Sequence, residues 1–313
     1  MNILVTCPPM LGMIDEFIPY AKLKNINLIP AKVNQILSEE ELIDLLPHYD
    51  GWIIGDDPAT RKVFQAGKSG NLKAAVKWGI GVDNVDFDAC NELKIPIINT
   101  PKMFGAEVAD VALGYIIGLA RQTFFIDREI RLNGTWPKPA GISLANKKIG
   151  IIGLGDIGRN LAKKLNVCDM IITGYDPFVK DKVLENIDIK KWPENIDELD
   201  FLVFTCSLNI HNRHMLNSEN LSKCKSGVYI INVARGPLID ELALTKSIIS
   251  GKVAGAALDV FEIEPLDFNS PLKKIETCIL GSHNGSNTID AVRRASIESI
   301  NILDNFLKKY ETN

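Results

Sequence analysis

Apolar residues along the first third of this chain form short, nearly continuous runs, and stretches with helical spacing separate them. Runs that are apolar on both faces, instead of alternating with polar residues, are typical of parallel strands covered by helices. One helix start is marked by Ser38, which can cap free backbone N–H groups, and by the glutamates that follow it. The predicted strands are residues 3–6, 26–30, 52–54, 74–78 and 95–99. The pattern therefore predicts an α/β unit.

A second alternation begins at Lys148 and continues almost to the end of the chain. Its predicted strands are residues 149–152, 171–175, 201–205, 228–232, 254–259 and 278–280. Helical spacing marks residues 240–249, with Asp240 as the predicted cap, and residues 288–307. This number of strands is the one expected of a complete doubly wound dinucleotide-binding domain.

The stretch between the two alternations is mixed. Residues 106–120 are apolar on nearly all sides, which predicts a buried helix, either within one subunit or at an interface between domains or subunits. Residues 133–147 have the glycines and prolines of a loop. The sequence therefore predicts an α/β fold with two doubly wound domains: a flavodoxin-like substrate domain of residues 1–98 plus 286–313, and an inserted Rossmann domain of residues 99–285. Ligands are expected in the cleft between two such domains.

Composition limits the classes of function. The chain has 313 residues, 46% hydrophobic and 24% charged, which suits two globular domains. A net charge of −4 without clustered basic residues argues against nucleic-acid binding. The six cysteines include no C-x-x-C pair, so no metal site is expected and the thiols are predicted to be reduced. The N-terminus lacks a signal-peptide pattern, and no apolar run reaches the roughly 18 residues of a membrane helix, which predicts a cytoplasmic protein.

A glycine-rich turn follows the first strand of the second alternation. Gly153, Gly155 and Gly158 stand in a G-x-G-x-x-G pattern, and the residues after them have helical spacing. The first glycine would make a tight turn, the second would let the backbone approach a pyrophosphate, and the third would let helix pack on strand. Asp156 and Ile157 lie at the helix N-terminus, where free N–H groups would meet the phosphate charge.

Asp176 follows the next predicted strand. A carboxylate there would accept hydrogen bonds from both ribose hydroxyls of NAD and would repel the 2′-phosphate of NADP. The competing interpretation is a glycine turn that binds no ligand, with Asp176 as a capping residue. The flanking strand and helix favour NAD as the cofactor.

Three further segments each follow a predicted strand of the second alternation. They are residues 232–236 with Arg235, residues 258–265 with Asp259 and Glu264, and residues 281–284 with His283. In an open parallel sheet the carboxyl ends of the strands line the ligand crevice. An arginine, a carboxylate and a histidine are therefore expected to converge near the nicotinamide. The other histidines, interpreted as structural, are His48, His211 and His214.

With these residues the chain resembles the D-2-hydroxyacid dehydrogenase family, which includes the phosphoglycerate dehydrogenases, over almost its full length. Residues 77–86 are similar to the family's substrate loop, and residues 99–101 with 108–110 to its crossover helix. Gly134 and Trp136 match a G-x-W before the nucleotide strand. The resemblance implies hydride transfer between NAD and C2 of a small D-2-hydroxy acid or 2-oxoacid, with 3-phosphoglycerate, hydroxypyruvate and glyoxylate as candidate compounds. It also implies a homodimer.

The resemblance implies a role for each site residue. Arg235 would fork onto the substrate carboxylate, His283 would exchange the hydroxyl proton, and Glu264 would hold the imidazole and favour its charged form. Asp259 would contact the nicotinamide carboxamide. The implied substrate-binding residues are Lys77, Gly79, Ile80, Gly81, Arg235 and His283. The implied cofactor-binding residues are Gly153, Gly155, Asp156, Ile157, Gly158, Asp176, Pro177, Cys206, Val233, Ala234, Arg235, Asp259 and His283.

One departure from the family pattern precedes the catalytic histidine. Gly281 and Ser282 stand where the family commonly has Thr-Pro. Because proline fixes φ and glycine frees it, the exchange is expected to loosen the backbone before His283.

Other departures leave the substrate open. Asp56 and Asp57 stand where phosphoglycerate-type members often have Arg-Ser, and two acids there would oppose a phosphate. Lys77 and Arg61 could instead bind one. The stretch 192–199 looks short for its connecting helix, which is expected to alter the adenine side.

Two other functions are considered. An NAD(H)-sensing binding protein or co-repressor with little turnover would share the fold and could keep the same residues. A formate dehydrogenase usually has glutamine in place of Glu264, which ranks that enzyme lower. No regulatory domain is expected after Asn313.

Overall fold

The computed structural model describes residues 1–179 and 186–311. The chain divides into two compact units: unit 1 is Met1–Phe104 with Asn287–Asn313, and unit 2 is Gly105–Ser286. The predicted boundaries lie after residues 98 and 285, and residues 312–313 of the predicted first domain lie outside the described residues.

The first division falls later than predicted because residues 99–104 are bound to unit 1. The backbone N–H of Thr100 donates to the Lys77 carbonyl at 3.1 Å. The ring of Phe104 packs on Trp78, with centroids 4.9 Å apart. The segment after the last strand of unit 1 therefore belongs to that unit.

Unit 1 contains a parallel sheet in the order β2-β1-β3-β4-β5, which is the flavodoxin-like order. Its strands are β1 (Asn2–Val5), β2 (Asn27–Pro30), β3 (Gly51–Ile54), β4 (Ala74–Lys77) and β5 (Ile97–Asn99). Its helices are α1 (Pro8–Leu11), α2 (Ile14–Lys22), α3 (Glu39–Leu45), α4 (Arg61–Ser69), α5 (Phe87–Glu92) and α11 (Ile289–Glu311). All five predicted strands are present, with ends that differ by a few residues.

Local signals explain where the helices of unit 1 begin. Ser38 caps α3 as predicted: its side chain accepts from the Glu41 N–H, and the Glu41 side chain accepts from the Ser38 N–H in return. The side chains of Thr60 and Asp86 cap α4 and α5 by accepting from the Val63 and Ala89 N–H groups, without the return hydrogen bond. The returning helix α11 is fixed on the sheet in part by a hydrogen bond from Trp78 Nε1 to Ser296 Oγ at 3.1 Å.

Unit 2 contains a second parallel sheet, whose described strands run in the order β12-β11-β10-β9-β6-β7-β8. They are β6 (Lys148–Ile152), β7 (Ile171–Tyr175), β8 (Ile187–Lys190), β9 (Phe201–Phe204), β10 (Val228–Asn232), β11 (Val253–Leu258) and β12 (Cys278–Leu280). The strand order reverses between β6 and β9, and such a switch point opens a crevice at the carboxyl ends of the strands. The two predicted doubly wound sheets are thereby confirmed.

Two features of unit 2 were not predicted. The edge strand β8 is short and only half apolar, so it lacks the continuous apolar run of the central strands. The predicted loop from residue 133 onward is preceded by α7 (Thr123–Arg128) and a π-helical turn (Glu129–Asn133). The other helices among the described residues of the unit are α6 (Gly105–Arg121), α8 (Asp156–Val167), α9 (Ser218–Lys223) and α10 (Glu241–Ile249).

The apolar helix α6 is largely buried within unit 2, where it packs on α8 and on strands β10, β11 and β12. In the part of the chain that the structure describes, no single helix is long and apolar enough to cross a membrane. One pair, Gly105–Arg121 and Thr123–Asn133, passes that test together by length and composition only, with a bend of 73° between its members.

Candidate active site

The glycine-rich turn connects β6 to α8. Gly153 has φ +96°, and a Cβ there would lie 2.6 Å from the backbone N of Cys206. A Cβ on Gly158 would overlap the Gly153 carbonyl oxygen. The hydroxyl of Thr205, which follows β9, donates to that carbonyl at 2.7 Å. The first and third glycines are therefore required by the protein's own packing.

Gly155 is different, because the described part of the chain gives no reason for a glycine there. Its φ of −73° suits any residue, and no atom of the described residues lies within 4 Å of the position of a Cβ. It precedes α8, and in the described residues no side chain caps that helix. A helix N-terminus with uncapped N–H groups and open space beside a glycine fits the pyrophosphate of a dinucleotide.

Asp156 turns its side chain away from this space. Its carboxylate lies where a Cβ on Gly105 would be, and it accepts a hydrogen bond from Asn160 Nδ2 at 3.1 Å. Asp156 and Ile157, both predicted to bind the cofactor, could therefore do so through their backbone N–H groups at the start of α8.

Asp176 lies directly after β7, beside the turn. Its Oδ2 accepts from the Leu154 N–H at 2.8 Å and its Oδ1 accepts from the Phe178 N–H at 2.9 Å. A carboxylate has about four lone-pair sites, so both oxygens can still accept from ribose hydroxyls. The predicted ribose ligand thus also holds the glycine turn in place. Pro177, the next residue, is exposed.

The remaining predicted cofactor residues follow β9 and β10. Burial raises the pKa of the Cys206 thiol to about 12, so this thiol is neutral and unreactive at neutral pH. The side chains of Val233 and Ala234 are buried. The turn that they form is held by Asn232, whose Oδ1 accepts from the Ala234 N–H at 3.0 Å and whose Nδ2 donates to the Arg235 carbonyl at 2.9 Å.

Arg235 emerges from this turn half-buried, and its Nη1 donates to the Ala234 carbonyl at 2.8 Å. Gly236 follows at a point of close approach, since a Cβ there would overlap the backbone of Phe261. The loop after β10 is thereby packed directly on the loop after β11. These two loops contain Arg235 and Glu264.

Glu264 and His283 are brought together by the loops after β11 and β12. Nδ1 of His283 lies 2.7 Å from Oε2 of Glu264, and the two side chains are 27% and 28% exposed. Oε1 of Glu264 accepts from the Phe261 N–H at 2.9 Å, which orients the carboxylate. The backbone of His283 is left-handed, with φ +55°, and its N–H donates to the Asp259 carbonyl at 2.7 Å. A side chain held in so rarely populated a backbone conformation is common at functional sites.

Glu262, a carboxylate two residues before Glu264 in sequence, lies beside a different histidine, His214. Its Oε1 lies 3.0 Å from Nε2 of His214 and accepts from the Glu241 N–H at 2.9 Å. The Glu262 N–H donates in return to Glu241 Oε2 at 3.2 Å. Burial, with the added charge of Glu262, raises the pKa of Glu241. This cluster links the loops after β9, β10 and β11 and leaves Glu264 as the partner of His283.

Asp259 occupies the centre of the same edge and is only 3% exposed. Its Oδ2 accepts from the Gly285 N–H at 2.9 Å, and its Oδ1 accepts from the Asn284 N–H at 3.3 Å and from the hydroxyl of Tyr115 at 3.2 Å. The predicted contact with the nicotinamide stays a prediction. The observed contacts make Asp259 the support of the loop that contains His283.

The predicted loosening at Gly281 stays a prediction, and the structure gives a second reason for a glycine there. A Cβ on Gly281 would overlap both Asp259 Oδ1 and the Tyr115 hydroxyl. The glycine therefore permits close packing of a buried acid against the loop, and the loop is held on several sides.

In unit 1, the ammonium group of the predicted substrate residue Lys77 donates hydrogen bonds to groups of the protein itself. Its side chain is 3% exposed, and Nζ donates to the Gly55 carbonyl at 2.6 Å, to Asp56 Oδ1 at 3.0 Å and to the Trp78 carbonyl at 3.2 Å. Its three donors are thus all engaged. Asp57 is also buried, and burial raises the pKa of its carboxyl. Lys77 joins two loops instead of presenting its charge to a ligand.

Arg61 and Gly79 are likewise engaged within unit 1. Arg61 forms a forked pair with Glu92 on the surface. The N–H of Gly79, predicted to bind the substrate carboxylate, donates instead to Thr100 Oγ1 at 2.8 Å. Ile80 and Gly81 remain the predicted substrate-binding amides of this loop.

Three residues that hold the loops of the site in place were not predicted from the sequence: Thr205, Asn232 and Tyr115. Thr205 and Asn232 each lie at the end of a strand on the ligand side of the sheet, a position that could have drawn attention to them. Tyr115 is a hydroxyl-bearing residue in the apolar middle of helix α6, and a buried tyrosine hydroxyl usually has a partner. That partner, Asp259, could be identified only from the structure.

Comparison with known proteins agrees with this geometry. The family model for the D-isomer specific 2-hydroxyacid dehydrogenase NAD binding domain matches residues 113–285. A hydroxypyruvate reductase of Thermotoga maritima is 35% identical over 271 residues, covering 84% of this chain and 87% of the relative. A D-3-phosphoglycerate dehydrogenase of Methanocaldococcus jannaschii is 34% identical over 266 residues, which are 83% of this chain but 50% of that protein, so the chain spans about half its length.

Solved structures have the same fold. The glyoxylate reductase from Paecilomyes thermophila has a TM-score of 0.83 and 27% sequence identity, covering 97% of this chain and 94% of that one. The identities and coverage of these relatives, with the matched NAD binding domain, establish the class of enzyme. The chain therefore belongs to the D-isomer specific 2-hydroxyacid dehydrogenase family, as an NAD-dependent oxidoreductase of 2-hydroxy acids.

Proposed function

We propose that the chain interconverts a small, unphosphorylated 2-oxoacid and its D-2-hydroxy acid, with hydroxypyruvate and glyoxylate as the leading candidates. The observation that carries the proposal is the pair formed by His283 Nδ1 and Glu264 Oε2, 2.7 Å apart. The pair lies at the edge of the sheet where the glycine turn also lies. When bound, the nicotinamide supplies the hydride to C2 of the oxoacid or accepts it from the hydroxy acid. The residues of the chain then have to bind the acid and move one proton.

His283 is proposed to move that proton. Because Nδ1 faces the Glu264 carboxylate, the ring nitrogen that exchanges a proton with the substrate oxygen is Nε2. In reduction, Nε2 gives its proton to the C2 oxygen as that carbon gains hydride. In oxidation, Nε2 takes the proton of the hydroxyl. Glu264 stabilises the positively charged ring in both directions.

Arg235 is proposed to bind the substrate carboxylate. A guanidinium presents parallel N–H donors that match a carboxylate, and such charge-assisted pairs fix orientation as well as affinity. The loop containing Arg235 follows β10, the neighbour in the sheet of β11, which leads to Glu264. The amides of Ile80 and Gly81 are proposed to contribute to binding of the same acid, as the family resemblance implies.

The contacts of unit 1 favour an unphosphorylated substrate. A phosphate ligand needs cations that can reach it, and the two candidates are Lys77 and Arg61. Lys77 is buried with its three donors engaged, and Arg61 is paired with Glu92. Asp56, whose side chain is 53% exposed, adds negative charge at the same loop. Recruiting Lys77 for a phosphate would leave buried carbonyls without a donor, which is costly.

A substrate panel tests this proposal. With NADH, we expect turnover of glyoxylate, hydroxypyruvate or pyruvate, and a kcat/KM for phosphohydroxypyruvate about 100-fold below the best of them, a difference of about 2.7 kcal/mol. D-glycerate and 3-phosphoglycerate, which differ only by the phosphate, are the matched pair in the oxidative direction. A preference for the phosphorylated member of each pair would contradict the proposal. NADH binding without turnover of any 2-oxoacid would instead indicate a sensor.

We also propose that the chain is a homodimer, as the family resemblance implies. Consecutive elements from α6 to residue 136 expose large apolar side chains: Ile117 at 38%, Phe124 at 48%, Ile130 at 40%, Leu132 at 75% and Trp136 at 77%. So many exposed apolar groups on one stretch of chain are typical of an interface. A second copy of this chain is the proposed occupant.

Sedimentation measures this association. We expect the native protein at twice the chain mass, and the double variant Leu132→Asp/Trp136→Asp to dissociate at least about 30-fold more readily, because exposed tryptophans are frequent interface hot spots. Val167→Asp, at a valine that is 85% exposed at the end of α8, is the matched control and should remain dimeric. A native monomer at micromolar concentration would contradict the proposal.

A further inference from the structure

Tyr115 brings a hydroxyl to the apolar middle of helix α6. It lies in α6, half-buried, and its hydroxyl donates to Asp259 Oδ1 at 3.2 Å. Burial, with the adjacent negative charge of Asp259, raises the pKa of Tyr115 well above its usual range. The hydroxyl therefore keeps its proton and remains a donor to the carboxylate.

Asp259 connects Tyr115 to the loop that follows β12. The carboxylate that receives the Tyr115 hydroxyl also receives the N–H groups of Asn284 and Gly285, at 3.3 and 2.9 Å. The carbonyl of the same aspartate receives the His283 N–H at 2.7 Å. One buried residue thus fixes the backbone on both sides of the His283 side chain. Its own orientation depends in part on Tyr115.

Gly281 completes the arrangement. A Cβ at this position would overlap both the Tyr115 hydroxyl and Asp259 Oδ1. The volume beside the carboxylate, which a side chain at residue 281 would otherwise fill, is occupied by the Tyr115 hydroxyl from helix α6. Tyr115 and Gly281 are therefore complementary in shape, and each restricts what the other can be.

We propose that Tyr115 is a positioning residue for the catalytic reaction: its hydroxyl, admitted by Gly281, orients Asp259 and through it the His283 loop. The inference rests on the proposed role of His283. It adds a residue of α6, remote in sequence from the catalytic loops, to the set that determines turnover. Since Tyr115 acts through Asp259 on the loop that contains His283, its loss should lower kcat by a larger factor than it weakens binding of NADH.

The first test compares Tyr115→Phe with the native enzyme and with Tyr229→Phe. Tyr229 is a second tyrosine of unit 2, at the start of β10, stacked on Phe201. We expect Tyr115→Phe to lower kcat for glyoxylate about tenfold, the effect of losing one hydrogen bond to a charged group, and to raise the KM for NADH by a smaller factor, under about threefold. Tyr229→Phe should leave both values within twofold. Thermal unfolding of the two variants checks that each is folded.

A readout independent of turnover uses the imidazole itself. The chain has only four histidines, so the His283 ring resonance of the NADH-free protein can be assigned by its loss in His283→Ala. We expect Tyr115→Phe to shift the His283 resonance and to leave that of His48, in unit 1, unchanged. An unshifted His283 resonance with native kcat in Tyr115→Phe would overturn the inference. If the native enzyme proves active and His283→Ala inactive, that failure would leave the proposed function intact.

A double-mutant cycle tests the coupling with Gly281. In the native background, Gly281→Ala should lower kcat at least tenfold, because the new methyl group displaces Asp259. In the Tyr115→Leu background the hydroxyl is absent and the carboxylate can move into its place, so Gly281→Ala should cost under about threefold more. Equal factors in both backgrounds would show that the two residues act independently and would overturn the pairing.

Discussion

His283→Ala should lower kcat for 2-oxoacid reduction about 1,000-fold while leaving NADH affinity within a few-fold of native. General acid–base catalysis by a positioned side chain contributes about 10²- to 10⁴-fold, and the alanine variant loses it entirely. Nδ1 of the imidazole lies 2.7 Å from Glu264 Oε2, on a loop separate from the glycine turn. Removal of the ring should therefore leave the dinucleotide-binding turn intact. Steady-state kinetics with glyoxylate and fluorescence titration with NADH measure the two quantities separately.

His48→Ala is the matched control for this variant. His48 is exposed in unit 1, at the end of a short 3₁₀-helix, and its replacement should leave kcat within twofold. Native-like turnover in His283→Ala would remove the proposed acid–base role. Loss of NADH binding in that variant would instead place the histidine in the cofactor site.

Arg235→Lys should lower kcat/KM for the 2-oxoacid about 100-fold, with NADH affinity preserved. Lysine keeps the positive charge but cannot form the parallel pair of hydrogen bonds that a guanidinium makes with a carboxylate. Because hydrogen bonds to charged groups contribute about 1.5–3 kcal/mol, loss of the fork is expected to cost about two powers of ten. Kinetics over a range of oxoacid concentrations at saturating NADH will measure this loss.

Arg293→Lys provides the control for the same chemical change. Arg293 forms a forked pair with Glu16 on the surface of unit 1, its Nε 2.8 Å from Oε2. Exposed ion pairs contribute little, so kcat/KM should stay within twofold. If Arg235→Lys also had so small an effect, the substrate carboxylate would have to be bound elsewhere.

Much of the architecture could be predicted because its signals are local. Continuous apolar runs indicated the central strands of both sheets, and the capping pattern at Ser38 indicated where α3 begins. The edge strand β8 was missed for the same reason, since a strand covered on fewer sides needs no continuous apolar run. The glycine turn was also local: a strand, three spaced glycines and a helix identified the NAD-binding segment without any knowledge of contacts.

The candidate site was predictable only in part. Position after a parallel strand indicated that an arginine, a carboxylate and a histidine converge, because the carboxyl ends of such strands meet at one edge. The family resemblance then selected Arg235, Glu264 and His283. The contacts of each side chain could not be predicted, since they depend on groups that are distant in sequence. Lys77 has the positive charge that would bind a phosphate, but its ammonium donates to three oxygens of the protein instead.

The sequence by itself determined the two doubly wound sheets, the NAD turn and the family, because periodicity, glycine spacing and motif order are properties of neighbouring residues. The tertiary structure confirmed that Glu264 faces His283, as the resemblance implied, and showed that the neighbouring Glu262 faces His214 instead. It also showed that Gly281 accommodates the Tyr115 hydroxyl beside Asp259, where the sequence indicated a looser loop. Such pairings join residues that are adjacent only after folding, so packing and hydrogen-bond geometry determine them.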